Sequence, residues 1–317
     1  MTSRRTIPLI IIAGTGAVVW GILSQRNVST NPNTNTQALI PIEDIVDGGP
    51  GKDGIPSIDT PKFIDVATAE QSGVYDLKGL GIGLTIGETT RFYPFQILVW
   101  HEIVNDIIGG RPVAVTYCPL CGTGLVYDRT IDGQAVEFGV SGKLYQSDLL
   151  MYDRKTESLW AQIEGRAVIG PLVGQRLTLV DAQNITWQEF RSKYPNGQAL
   201  STDTGFSRNY QSSPYGDYDT NDQLLFPIET RDGRLGLKTR VLGIELDGQF
   251  KAYPVEDIQR LKDVTDDFAS QTLRLVANSE EITITDETAG QIIVPVHAFW
   301  FAWATFHPGT ELYQIEN

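Results

Sequence analysis

The sequence predicts an α+β fold rich in β-structure: two degenerate repeats of a strand-pair/helix/strand unit, preceded by one N-terminal transmembrane helix. Three observations lead there. A short basic start, with Arg4 and Arg5, precedes the uncharged apolar run from Ile7 to Leu23. Alternating apolar β-formers, as in Pro112 to Tyr117 and Thr123 to Tyr127, mark strands. A pattern near residue 80 recurs near residue 242.

Taken in order, residues 1–24 form a signal anchor. The apolar run of about 17 residues is just long enough to span a bilayer, no small-x-small cleavage site follows, and the basic end marks the cytoplasmic side. The body is therefore expected outside the cytoplasm, on a single-pass membrane protein. Residues 25–62 read as a linker, first a polar tract rich in Asn and Thr and then a Gly, Pro and Asp lead-in. The folded body is expected to begin near Phe63, with a first repeat over 63–205, an aromatic connector over 206–236 and a second repeat over 237–317.

The duplication rests on matched segments. Leu80-Gly81-Ile82, then Arg91-Phe92-Tyr93-Pro94 and a helix-like stretch to Asp106, match Leu242-Gly243-Ile244, then Lys251-Ala252-Tyr253-Pro254 and a helix-like stretch to Asp266. Val113-Ala114-Val115 matches Leu273-Arg274-Leu275, and Trp187, Phe190 and Pro195 recur as Trp300, Trp303 and Pro308. These recurring aromatics read as core. In that register Cys118 falls on Asn278, Cys121 on Glu281 and His101 on Leu261. The scaffold is duplicated and the candidate chemistry is not.

That chemistry centres on Cys118-Pro119-Leu120-Cys121-Gly122, which holds both cysteines of the 317-residue chain. Proline fixes a turn, glycine permits a left-handed backbone, and both sulfurs can face one ion, as in the knuckles of rubredoxins and zinc ribbons. One knuckle supplies two ligands, so others must complete a site. His101, in the expected helix upstream, offers an imidazole. Met151, the one methionine besides the initiator, offers a thioether suited to copper(I), and Asp148 offers a harder oxygen. Asp153, His297 and His307 are weaker options. The formal charge of −14 excludes nucleic-acid backbone binding, and no phosphate-binding glycine loop or Ser-His-Asp order is present.

Thr116-Tyr117-Cys118-Pro119-Leu120-Cys121-Gly122-Thr123, Phe138-Gly139-Val140-Ser141-Gly142, Met151-Tyr152-Asp153-Arg154, Ser158-Leu159-Trp160 and Phe299-Trp300-Phe301-Ala302-Trp303 together resemble the family of domain of unknown function 3179. The resemblance runs from about residue 75 to the end. It implies an exported or anchored prokaryotic protein and brings no established activity.

The residues therefore point to a membrane-anchored, extracytoplasmic metal-binding protein, with copper ahead of zinc. Cys118, Cys121 and His101 are its ligands, Met151 or Asp148 completes the shell, and a metal donor, metal acceptor or redox protein is its partner. Two alternatives stand beside this reading. One is a thiol-disulfide oxidoreductase in which Cys118 attacks and Cys121 resolves. The other is a non-catalytic domain that binds a ligand or partner through the aromatic connector.

Overall fold

The computed structural model describes residues 29–30, 37–278 and 281–315. The apolar run Ile7 to Leu23 lies outside them, and no helix among the described residues is long and apolar enough to cross a membrane. Of the described residues 43% are strand and 13% helix, in a five-bladed, propeller-like arrangement of sheets. This corrects the expected α+β fold. What repeats is a pair of sheets, and the helices are short connectors rather than part of a strand-pair/helix/strand layer.

The reason is local. The stretch read as helix up to Asp106 is helical only over Phe95–Leu98, and Ile103–Ile108 is a strand. Val99, Ile103, Val104, Ile107 and Ile108 are β-branched residues that fit a pleated, half-buried surface better than a helix. In the second copy the helix covers Val255–Leu261, and Asp263–Phe268 is again a strand.

The first blade orders its strands Gln183–Thr186, Leu80–Ile86, Thr89–Pro94, Gln198–Leu200 and Phe63–Asp65. The fourth repeats its first four members as Val296–Phe299, Arg240–Leu246, Gln249–Pro254 and Glu311–Leu312. In each, the strand after the closing aromatic helix pairs parallel with the central hairpin. The second blade (Thr178–Leu179, Thr123–Asp128, Arg111–Cys118, Ile103–Ile108) and the fifth (Gln291–Ile293, Glu281–Asp286, Gln271–Asn278, Asp263–Phe268) are likewise equivalent.

Strand register refines the duplication. Ile82 faces Tyr93 as Leu242 faces Tyr253, so Gly83, not Gly81, is the partner of Gly243. The two-residue slip keeps every side chain on its face, so alternation alone cannot detect it. Both glycines lie under the closing helix: a Cβ on Gly83 would meet Ile185 at 3.1 Å and Phe190 at 3.5 Å, and one on Gly243 would meet the Trp303 ring at 2.3 Å. The copies also share a lock between their two sheets. Tyr93 donates to Asp106 at 2.6 Å beside Arg91, and Tyr253 donates to Asp266 at 2.7 Å beside Lys251.

The third blade has no second copy and supplies half of the site. Its seven strands include Phe138–Tyr145, Asp148–Asp153 and Leu159–Ala161, with Ile45–Asp47 at one edge. The second part of the stretch read as linker is therefore built into the body. Gly48 and Asp53 donate backbone hydrogen bonds to Gly142 and Val140, and Gly142, at φ +73°, lies so close that a Cβ would meet the Gly51 carbonyl oxygen at 2.4 Å.

Candidate functional site

Arg111–Cys118 and Thr123–Asp128 form an antiparallel hairpin whose last pair is Cys118 with Thr123. The turn between them is Pro119 to Gly122, and Gly122 takes the left-handed conformation at φ 63°. Both cysteines are free, buried and within reach of the Ser147 carbonyl, 3.9 Å from Cys118 Sγ and 3.4 Å from Cys121 Sγ. Gln162 holds the hairpin in place: its amide donates to Thr116 at 2.8 Å, its oxygen accepts from Thr123 at 2.7 Å, and its carbonyl accepts from Tyr127 at 2.7 Å.

Asp148, at the start of its strand, completes a cluster. Ligand atoms of Cys118, Cys121 and Asp148 all lie within 4.8 Å of one another, and all three residues are buried. One Asp148 oxygen accepts from the Ile163 amide at 3.0 Å, and the other, Oδ1, is buried with no hydrogen-bond partner. Burial pushes the Asp148 carboxyl up to about 7, opposed by the Ile163 amide and the neighbouring Cys121 thiol. Burial also raises the Cys121 thiol well above its ordinary value, and Cys118 and Asp148 add to the effect. Three acids in a dry core have two stable forms, either protonated or ionised around a cation.

A cavity of about 70 Å³ adjoins Cys118 and Leu120. Gly48, Pro50 and Ile55 of the N-terminal strap wall one side, and Tyr215 and Phe226 of the connector wall the other. The connector is fastened at several points: Tyr218 donates to the Leu120 carbonyl at 3.1 Å, Ser147 donates to the Phe226 carbonyl at 2.9 Å, and the Glu229 amide donates to Gln146 at 2.7 Å. The buried carboxyl of Glu102 lines the same cavity. Burial raises it to about 8, against the lowering effect of its Tyr215 hydrogen bond. Glu102 has φ 58° and its equivalent Lys262 has φ 69°, so this left-handed backbone belongs to the scaffold of both copies.

Of the residues nominated from sequence, the structure brings Cys118, Cys121 and Asp148 together. His101 is not in the cluster, and both of its ring nitrogens are engaged. Nδ1 lies 2.8 Å from the Pro56 carbonyl and so carries the proton, leaving Nε2 to accept from the Tyr210 hydroxyl at 2.8 Å. Burial lowers its basicity and keeps it neutral. Met151 is fully buried opposite Trp160 and Val140, three positions from Asp148 and hence on the other face of the strand. It fills core. Asp153 caps a turn, accepting from Thr156 and from Trp160 Nε1. His307 stacks on Phe250 and meets Trp303 at a tilt of 52°, each with ring centroids 4.1 Å away, and His297 sits in the fourth blade opposite Leu242.

Glu102 is the cavity residue that the sequence reading does not nominate. The signal available for Glu102 was its place in the segment that lost its histidine on duplication. Tyr215 lies in the aromatic connector singled out from sequence, but its bond to Glu102 spans 113 residues of chain and has no local signal.

Fold and site together define a propeller-like β protein with a buried dithiol-carboxylate centre enclosed by two straps. The chain belongs to the family described as protein of unknown function (DUF3179), whose model matches residues 52–294. No curated protein and no solved structure matches it.

Proposed function

We propose that this protein binds one transition-metal ion through Cys118, Cys121 and Asp148, with a fourth position open toward the cavity lined by Glu102 and Tyr215. The observation that carries the reading is Asp148 Oδ1, a buried, unpartnered carboxylate oxygen clustered with two buried thiols. A divalent cation would satisfy that oxygen and offset two of the three negative charges of the ionised acids. Tetrahedral zinc would hold the two sulfurs roughly 3.8 Å apart, compatible with ligand atoms that all lie within 4.8 Å of one another. Two sulfurs and a carboxylate, with neither imidazole nor thioether, suit zinc better than copper(I) and reverse the order expected from sequence. Three protein ligands with an open position is the arrangement of catalytic rather than structural zinc. The ion would there act as a Lewis acid, with the Glu102 carboxyl available in the same cavity to hold or release a proton.

The basic-led apolar run at the N-terminus supports placing this body at a membrane, on its extracytoplasmic side. A thiol-disulfide role fits less well. Cys118 is 1% and Cys121 0% exposed, which denies a partner's thiolate in-line access to either sulfur.

The test is elemental analysis of the full chain purified without chelator, beside a Cys118→Ser, Cys121→Ser control. About one zinc per chain, absent from the control, is the expected result. A metal-free protein with an oxidised, readily reduced pair would sink the metal reading in favour of thiol exchange.

A further inference from the structure

A second cavity, of about 260 Å³, lies on the other side of the Cys118–Cys121 turn. Cys118 and Leu120 line the inner cavity, whereas Tyr117 and Pro119 line this outer one; Tyr117 and Cys118 point to opposite faces as neighbours at the end of a strand. Tyr215 is the one residue that lines both, so its ring forms the partition.

The outer groove is aromatic and negative. Tyr117 lies flat against Phe95, with centroids 4.0 Å apart and planes within 10°, and Tyr210 and Tyr218 complete the walls. The hydroxyls of Tyr210, Tyr215 and Tyr218 are turned inward to His101, Glu102 and the Leu120 carbonyl. These residues therefore offer the groove their rings, whose faces are electron-rich, rather than their donors. Asp76 and Asp219 also line the groove, and no Lys, Arg or His does. Among the described residues neither aspartate is ion-paired with a basic side chain. Arg208 and Arg240 approach from outside, but their guanidiniums rest over Trp100 and Phe299. One face of the Tyr218 ring already carries the Lys238 ammonium, 3.3 Å from its centroid and within the field of Asp219, which leaves Tyr117, Tyr210 and Tyr215 as the unoccupied rings of the groove.

We infer that this groove is a binding site for a small organic ammonium ion, held by the tyrosine faces and by the Asp76 and Asp219 carboxylates. Aromatic faces with nearby carboxylates recognise a weakly hydrated cation, and the volume admits a molecule of about ten non-hydrogen atoms. The site is separate from the metal centre and stands whether or not the inner cluster holds an ion.

The test uses choline as the probe and 3,3-dimethylbutan-1-ol as its uncharged counterpart of the same shape. Binding to the full chain in detergent is followed by calorimetry and by the tyrosine ring resonances. Choline is expected to saturate with a dissociation constant of about 1 mM or tighter, at least about tenfold below that of the alcohol. Asp76→Asn with Asp219→Asn, both exposed positions that leave the core untouched, should weaken choline by about tenfold and the alcohol hardly at all. Equal binding of the two probes, no saturation by choline up to about 50 mM, or choline binding unmoved by the double substitution would each overturn the assignment.

Discussion

The Tyr215 hydroxyl donates to Glu102 Oε1 at 3.3 Å, tying the connector between the two repeats to a carboxyl buried inside the first. Tyr215→Phe keeps the ring and removes only that donor. It should cost about 1–2 kcal/mol, seen as a fall in Tm of about 2–4 °C per kcal/mol, because Glu102 is left buried with one partner fewer. An unchanged Tm would show the bond to be incidental.

Metal-free protein should lose stability as pH rises. Asp148 and Glu102 have folded-state values near 7 and 8, above their ordinary values of 3.8 and 4.5, because burial disfavours the charged form. The folded state therefore binds more protons than the unfolded state between those limits, and stability falls with pH across that window. Each carboxyl contributes a loss of about 2 kcal/mol between pH 5 and 7, and Asp148→Asn with Glu102→Gln should flatten the profile. Zinc should reverse the trend, since its ligands must be deprotonated to bind it. Urea titrations at several pH values, with and without zinc, give the sign directly.

The nominated ligands separate cleanly by substitution. Cys118→Ser and Cys121→Ser should abolish zinc retention, and Asp148→Asn should weaken it about 10–100-fold. His101→Gln and Met151→Leu should keep full stoichiometry, the first losing about 1–2 kcal/mol of stability through its broken link between Pro56 and Tyr210. Metal loss in either of these two would put the ligand set elsewhere.

Gly243→Ala should destabilise by about 2–3 kcal/mol, because the new methyl group would meet the Trp303 ring at 2.3 Å in a packed core. Gly83→Ala should cost less, since its nearest contact is 3.1 Å away, on the movable end of Ile185. Denaturant midpoints for the two variants test the equivalence of the positions as well as the packing.

The parts of this molecule legible in the sequence are those fixed by neighbours in the chain. The Cys-Pro-Leu-Cys-Gly turn between two strands is written in its own residues, down to the left-handed Gly122. From Arg91 to Cys118 the duplication holds one constant offset and Cys118 against Asn278 is read correctly, but beyond the turn the register shifts by two, so that Glu281 answers to Thr123 and not to Cys121. The slip at Leu80 escaped because strands repeat every two residues. The segment before Asp106 misled because a single helical turn and a β-branched strand together imitate a longer apolar helix. His101 was misassigned because spacing shows which residues could meet and not which hydrogen bonds already occupy them. Asp148 is legible as a ligand because it lies in the polar stretch that the second repeat lacks, whereas Tyr215 is legible only as part of the aromatic connector, since it reaches Glu102 through tertiary packing.

The inner cavity takes its walls from the strap near Pro50, the hairpin at Cys118, the third blade at Val140 to Leu149, and the connector at Tyr215 and Phe226. These pieces are scattered over more than half the chain, so no fragment contains the chamber and no early folding stage encloses it. Whatever resides there can be retained only once the last strap has docked, and its binding energy then holds shut the segments that are weakest by themselves. Occupancy of the chamber would thus act as a timestamp of completed assembly, and an emptied chamber would first loosen the straps and leave the five blades intact.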